Sequence, residues 1–552
     1  MKSEIEELIR QAARNLNLEV GKFEVEYPAT LEHGDYASNV ALVVAKQAKQ
    51  NPRQLAEALV NELEKIKTEN LNRIEVAGPG FINFYLAPKT LARELEKILA
   101  RGELYGSNNL SEAEKVLVEY TQPNPFKEFH IGHLMNNVIG EALSRLIESS
   151  GATVARATYH GDVGMHVAKT IWGLQQAGAE NLSLKLLGEA YASGHRAFED
   201  DPSAKEAIMV INKKIYDRSD KQINHLYDAG RTCSLEAFES LYRRLGSQFN
   251  FHFFESEAGP LGLEVVRSHP EIFELSEGAM VFRGENYGLH TRVFVNSQGL
   301  PTYEAKELGL QELKRQKFSA TRSVTVTAVE QKDFFRVVRQ AIELIYPELA
   351  GKLDHVAHGF LRLPSGKMSS RTGTVVAAES LLGEVADRAA ERMADRPMSE
   401  VEKALAVEAV ALGAIKYVIL KQSPGRDIVF DFDTALSFEG DSGPYLQYTY
   451  VRAKSVLAKA EVPPTAPKET DSELARLLGR FPELVARASA ELSPQHVVTY
   501  VTELASAFNS YYAQNKIIGS VDESAQLALV AATAQVLKNG LKLLGIPVPE
   551  KM

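Results

Sequence analysis

The sequence predicts a multi-domain α/β protein built round a doubly wound parallel sheet, with a small α/β domain before it and an all-helical domain after it. Three observations carry that expectation. The chain has 552 residues, and a prior of roughly 150 residues per domain gives three or four units. The run "VLVEY" at 116–120, then Leu134, Val138, Ile139, Ala142 and Leu146 at helical spacing, then "TVARATY" after Gly151, make a strand–helix–strand unit. From about residue 395 onward the apolar pattern is almost entirely helical.

Taken in order, residues 1 to about 100 open on an amphipathic helix, pass through the turn-rich "EHGDYASN" and close as strands round a Gly-Pro-Gly turn in "NRIEVAGPGFINFYLA". "RGELYGSNNLSEAEK" is polar and rich in Gly and Asn, so it reads as a linker and ends a first domain of residues 1–108. "VLVEY" then reads as a buried parallel strand, the start of a Rossmann-type domain at 109–394. Residues of about 172–290 are long, charged and helical ("SAKEAIMVINKKIYDRSDKQINHLYDAG"), as expected for an insertion between two half-sheets. The α/β pattern returns with "RVFVNSQGLPTYEAKELGL", "SVTVTAVEQKDFFRVVRQAIELI" and "HVAHGFLRLPSGKMSSRTGTVV". Residues 395–552 form the helical domain, broken by a Pro-rich surface loop, "EVPPTAPKETD". No repeat of 20 to 50 residues runs through the chain.

Composition narrows the function classes. Hydrophobic residues make up 45% and charged residues 24%, ordinary for a soluble enzyme. Cys233 is the only cysteine, which excludes disulfides and cysteine-cluster zinc sites and fits a reducing cytoplasm. The N-terminal "MKSEIEELIR" has no apolar signal core, and no apolar run reaches membrane length. The net charge of −10 argues against a nonspecific nucleic-acid coat but leaves room for a local basic groove.

Two loops carry chemistry. "PNPFKEFHIGHLMNN" (123–137) sets His130 and His133 at a helix mouth with Gly132 between them and Lys127 just upstream. A helix N-terminus offers free N–H groups and a positive dipole to an anion, and imidazoles there can donate to phosphate oxygens as charge builds up. A lone histidine at that position is ordinarily a cap or a surface residue, so the pair needs a second element. "LPSGKMSSRTG" (363–373) supplies one, a Gly- and Ser-rich loop with Lys367 and Arg371. Together, in this order on a split α/β sheet, the two resemble the paired signatures of class I aminoacyl-tRNA synthetases.

The likeness narrows further. "VEYTQPNPFKEFHIGHL", "HGDVGMH", "TYEAKEL", "GKMSSRTGTVV", "FEGDSGPYLQYTYVRA" and "LKLLGIPVPEKM" resemble arginyl-tRNA synthetases, as does the N-terminal "HGDYASN … VAGPGFINF". The resemblance spans nearly the whole chain apart from the insertion. It implies a class I catalytic domain, an N-terminal domain reading the tRNA elbow and a C-terminal domain reading the anticodon. The implied activity is ATP-dependent attachment of L-arginine to tRNA(Arg) through an arginyl-adenylate. Implied partners are ATP with Mg²⁺, L-arginine and tRNA(Arg), with no zinc and no membrane, and a cytoplasmic monomer is expected.

By the same resemblance His130 and His133 contact the ATP triphosphate and Lys367 stabilises the leaving pyrophosphate. Gly132, Gly161, Gly164, Met368, Ser369 and Ser370 complete the nucleotide site. Glu119 and Asn124 hold the α-amino end of arginine, Asp162 orients its ammonium or backbone, and Tyr303, Glu307 and Gln331 face the guanidinium. A planar cation is best read by carboxylates in bidentate geometry under an aromatic face. Glu307 stands where an aspartate is commoner, reaching one methylene further. For tRNA, Asn83 and Tyr85 are expected at the elbow, and Tyr445, Tyr448, Arg452 and Met552 near the anticodon. Phe84 reads as strand core. The loop Lys367-Met368-Ser369-Ser370 lacks the second lysine of many class I enzymes, so Lys127 is expected to supply that charge, with Arg371 as the alternative.

Two other readings compete. A class I synthetase for another amino acid, such as cysteine, is disfavoured by the absence of a Cys/His cluster. A catalytically silent tRNA-binding scaffold has no need of the histidine pair and the lysine loop.

Overall fold

Apolar residues three and four apart turn the first helix, α1 (Lys2–Asn15), into a stripe that buries Ile5, Leu8, Ile9, Ala12 and Ala13. The computed structural model describes residues 1–28, 30–178, 182–363 and 376–552, without the side chains of residues 47 and 48. Two units emerge from its contacts. One comprises residues 1–105, 449–482 and 503–539, the other residues 106–448, 483–502 and 540–552.

In the first unit, strands β1 (Val25–Glu26), β2 (Tyr36–Ser38), β3 (Leu71–Ala77) and β4 (Phe81–Leu86) form an antiparallel sheet in the order β1-β2-β4-β3. Helices α2 (Val40–Ala48), α3 (Pro52–Ile66) and α4 (Pro88–Arg101) accompany it. Gly34, at φ +95°, makes the turn of "EHGDY", where a Cβ would stand 2.7 Å from the Phe84 carbonyl oxygen. The next residue, Asp35, donates its N–H to that carbonyl at 2.8 Å, accepts from the Leu86 N–H at 2.7 Å and pairs with Arg476. Phe84 is fully buried, the core role its strand alternation predicts.

The second unit is organised by a five-stranded parallel sheet. Its strands are β5 (Lys115–Glu119), β6 (Thr153–His160), β7 (Phe251–Phe254), β11 (Arg322–Ala328) and β12 (Leu353–His358), in the order β12-β11-β5-β6-β7. Val116, Leu117 and Val118 are wholly buried, as a central strand covered on both faces requires. Between β5 and β11 the order changes direction, so the carboxyl ends of these strands open on the crevice where doubly wound sheets bind ligands. Helix α5 (Ile131–Ser149) crosses from β5 to β6, and α6 (Met165–Ala177) follows β6.

The stretch 172–290, read from sequence as one insertion, is mixed. Helices α7 (Leu184–Asp200), α8 (Pro202–Asp217) and α9 (Lys221–Leu245) match the helical expectation. After them β7 pairs with Ala157–His160 and completes the parallel sheet as its edge strand, so the sheet reaches into the stretch. At four residues it is too short for periodicity to reveal. Then come α10 (Glu255–Ser268) and a separate antiparallel sheet of β8 (Glu274–Ser276), β9 (Ala279–Phe282) and β10 (Arg292–Val295). Helices α11 (Tyr303–Lys317) and α12 (Lys332–Ile345) frame β11. Short strands β13 (Leu361–Arg362) and β14 (Ile428–Val429) pair in parallel.

The remainder is helical: α13 (Ala378–Arg392), α14 (Glu400–Lys421), α15 (Phe432–Ala435), α16 (Gly443–Leu457), α17 (Glu473–Gly479), α18 (Phe481–Ala490), α19 (Gln495–Gln514) and α20 (Glu523–Leu543).

Candidate functional site

The histidine pair is built by the first turn of α5. His130 is the N-cap, and its Nδ1 accepts the N–H of Gly132 at 3.1 Å and of His133 at 3.3 Å. His133 Nδ1 in turn accepts the N–H of His130 at 3.2 Å, closing a reciprocal capping box. The rings stack 3.6 Å apart at 18°. This corrects one expectation: the Gly132 and His133 amides at the helix mouth are not free for an anion, because His130 already takes them. An Nδ1 that accepts leaves the ring proton on Nε2, so each neutral imidazole presents one Nε2–H donor.

Burial, with the Lys127 ammonium beside it, pushes His130 down to about 4. Burial and the neighbouring His130, Lys127 and His160 hold His133 well below the imidazole range. Both are therefore uncharged near pH 7. Lys127 has its own ammonium pulled down from the ordinary lysine range by burial and by Lys169. It is the cation of this mouth, and His166 feels it too, held at about 4 chiefly by burial.

The segment that follows the lysine loop in sequence meets the same turn. Lys367, Met368, Ser369, Ser370 and Arg371 lie outside the described residues, which resume at Val376. His130 forms an antiparallel bridge with Ala377, the Ile131 N–H donates to the Val376 carbonyl at 3.1 Å, and the Ala378 N–H donates to the Phe129 carbonyl at 2.8 Å. The histidine motif and the segment 376–378, which follows the lysine loop in sequence, are thus joined main chain to main chain. On the N-terminal side, β13 ends one residue before the loop.

A second constellation gathers at the end of β5 and along α11, and it is acidic. Glu119, almost wholly buried, is ion-paired with Lys314 and accepts from Gln122 Nε2 at 2.5 Å. Glu255, at the start of α10, pairs with Lys306 at 2.5 Å, and Glu304 with Arg292 at 3.0 Å. Glu307 lies among them. Burial, then Glu119, push its carboxyl up to about 8; Lys314 opposes, and Glu255 and Glu304 add to the rise. The Asn124 Oδ1 accepts the Gly161 N–H at 3.1 Å, and a Cβ on Gly161 would lie 3.3 Å from Glu255 Oε2, so Asn124, Gly161 and Glu255 adjoin. Tyr303 opens α11, is 72% exposed and has Lys306 Nζ 5.0 Å from its ring centroid.

The other expected residues are placed as follows. Asp162 is fully buried; its carboxylate accepts from Tyr227 Oη at 2.9 Å and from Ser256 N and Oγ at 2.9 and 2.8 Å, and Arg231 lies 3.2 Å away. Both its oxygens therefore already have protein partners. Gly164 caps α6 at φ +113°. Gln331 is exposed at the end of the turn Val329–Gln331. In the first unit Asn83 is buried within its sheet, while Tyr85 donates to the Glu32 carbonyl at 3.0 Å with the Arg73 guanidinium 4.0 Å over its ring. Tyr445, Tyr448 and Arg452 are half-buried and recur on α16 at a spacing of three and four. Met552 is half-buried as well.

Sequence reasoning missed Glu255, Lys306 and Lys314. Glu255 follows directly from the unrecognised β7, at the carboxyl end of a parallel strand where ligands bind. Lys306 and Lys314 sit on the helix that supplies Tyr303 and Glu307, at positions a helical count would have reached, Lys306 three after Tyr303 and Lys314 seven after Glu307.

Three comparisons show the family of the chain. A family profile described as "tRNA synthetases class I (R), catalytic domain" matches residues 94–432, "DALR anticodon binding domain" matches 446–552, and "Arginyl tRNA synthetase N terminal domain" matches 3–86. The chain is 32% identical over 561 residues to an arginine--tRNA ligase of Clostridium kluyveri, spanning 98% of both. It is 31% identical over 570 residues to one from Halothermothrix orenii, spanning 100% of this chain and 99% of the relative. The solved structure of a Thermus thermophilus arginyl-tRNA synthetase matches with a TM-score of 0.84 at 27% identity over 100% of both chains.

Proposed function

This chain belongs to the arginyl-tRNA synthetase family, and we propose that the histidine mouth and the acidic pocket are the two halves of its active site. The family reaction is ATP-dependent attachment of L-arginine to tRNA. The arginine carboxylate attacks the α-phosphorus, pyrophosphate leaves, and a terminal tRNA hydroxyl then takes the arginyl group from the adenylate, releasing AMP. No covalent nucleophile is needed from the protein, only in-line positioning and neutralisation of charge on phosphate oxygens.

The observation that carries the assignment of residues is the main-chain bridge between His130 and Ala377. It supports a site in which the ATP phosphates lie between the Nε2–H donors of His130 and His133 on one side and Lys367, Met368, Ser369 and Ser370 on the other. Lys127 supplies the charge that the loop lacks. Gly132, Gly161 and Gly164 line the nucleotide's approach. Mg²⁺ enters with ATP as part of the substrate, held mainly by phosphates and water.

On the amino-acid side, Glu119, Asn124, Tyr303 and Glu307 hold arginine, with Glu255 added to that set. Asp162 braces the Gly161–Gly164 turn through Ser256 and Tyr227 rather than reaching the substrate. Gln331 stands at the rim. Residues 1–108 read the tRNA elbow through Tyr85 and Asn83, and residues 395–552 read the anticodon with Tyr445, Tyr448, Arg452 and Met552, leaving 109–394 for catalysis. The enzyme works as a cytoplasmic monomer.

ATP–pyrophosphate exchange with each amino acid in turn, with and without tRNA, tests the reading. Exchange driven by arginine and requiring tRNA is expected. Exchange with another amino acid, or none with any, would refute it.

A further inference from the structure

The helical stretch after α6 reaches the histidine mouth through α7. Lys127 Nζ lies 5.1 Å from the ring centroid of Tyr191, an aromatic face that attracts a cation. Tyr191 stacks in turn on His195, one turn along, at 5.9 Å and 2°. Lys169 Nζ donates to His195 Nδ1 at 2.9 Å and lies 3.7 Å from Glu199 and 4.1 Å from the Phe198 centroid. Two ammonium groups, one on the catalytic loop and one on α6, are thus laid along the same helix.

That helix is held to fine tolerance. A Cβ on Gly173 would lie 2.2 Å from the Ala190 carbonyl oxygen, and one on Gly194 would lie 2.0 Å from that of Lys169, so α6 and α7 touch backbone to backbone on either side of Tyr191. One turn before Tyr191, a Cβ on Gly188 would stand 3.2 Å from Glu128, the residue after Lys127. Lys127 itself follows Pro123 and Pro125, whose fixed φ restrains the loop.

We propose that Tyr191 is a positioning residue for Lys127, its ring on the braced α7 holding the ammonium toward the ATP phosphates. The inference rests on the role given to Lys127 above. It assigns a task to the helical stretch, which otherwise contributes no group to the phosphate side. The charged and titratable groups facing Lys127 are His130 and His133 from the mouth and His166 and Lys169 from α6, with Tyr191 the aromatic face opposite.

The test is aminoacylation by the full chain with tRNA, comparing Tyr191→Phe, Tyr191→Leu, Lys127→Ala and the Tyr191→Leu/Lys127→Ala double variant. Tyr191→Leu should lower kcat about fivefold to thirtyfold, with a smaller change in KM for ATP. Its alkaline limb of kcat should move to lower pH, because the ring no longer favours the ammonium. Tyr191→Phe, which keeps the aromatic face, should keep kcat within about twofold and restore the limb. In the Lys127→Ala background the leucine change should add nothing, the signature of two groups acting as one. A Tyr191→Leu enzyme at the parent kcat, or an equal loss with and without Lys127, overturns the proposal while leaving Lys127 in place. Lys127→Ala at the parent rate overturns both. If Tyr191→Leu does not fold, Tyr191→Gln gives the same ring-less comparison.

Discussion

The histidine mouth and the acidic pocket handle charge in opposite ways. At the mouth the imidazoles are kept neutral by burial, and their Nδ1 atoms are fixed by backbone amides, so each ring has one donor to offer and no charge to neutralise beforehand. Lys127 places an ammonium beside them. In the pocket the charges are present but already compensated: Glu119 by Lys314, Glu255 by Lys306, Glu304 by Arg292. Glu307 differs, because burial keeps its proton on. On the proposed reading, the first region meets charge that develops during the reaction and the second meets charge the substrate brings with it.

The sharpest way to break the comparison is to remove Glu307. Loss of one partner of a buried charge pair costs roughly 3–5 kcal/mol, about two to three and a half decades. Glu307→Gln should therefore raise the KM for arginine by that much and leave the KM for ATP nearly unchanged. An unaltered arginine KM would take Glu307 out of the pocket.

Removing the mouth's cation should come next. Lys127→Ala should lower kcat about a hundredfold, more than it raises the KM for ATP, because the charge acts mainly in the transition state. Adding Ser370→Lys should restore part of the loss. A loss confined to KM would make Lys127 a binding residue only.

The pH dependence of arginine use separates the two regions directly. Glu307 has its carboxyl raised to about 8, so it is protonated and uncharged below that pH and holds a cation only once ionised. The kcat/KM for arginine should climb by at most about one decade per pH unit toward pH 8 and level off above it. Glu307→Gln should flatten this slope. The corresponding profile for ATP should lack any step near pH 6.5, since His130 titrates at about 4.

The smallest expected effect is on stability in acid. His130, His160 and His166 are lowered to about 4, 3 and 4, principally by burial, whereas the unfolded chain protonates them near the ordinary 6.5. Between those values the unfolded state binds more protons, so stability should be fully present above pH 6.5 and be lost as pH falls toward 4. A Tm that rises from pH 4 to 6.5 and then levels off is the expected record. A flat Tm would mean these rings accept protons in the folded protein.

Much of this was legible in the sequence. The central strand at 116–120, the helix after the histidines and the parallel sheet follow from runs and periods that one segment carries within itself. So does Phe84 in the core. Other features arise only when distant segments meet. The edge strand Phe251–Phe254 is four residues long and is defined by its partner on β6, not by its own pattern. Asp162 looked free to meet substrate because nothing in "HGDVGMH" announces Tyr227, Ser256 and Arg231, 65 to 94 positions away. The amides of Gly132 and His133 looked open because residue type alone does not fix which way an imidazole turns. Local interactions are written in adjacent residues. Which acids are neutralised, which amides are taken and which ring lies under Lys127 depend on packing between segments far apart in the chain, and so only the tertiary structure decided them.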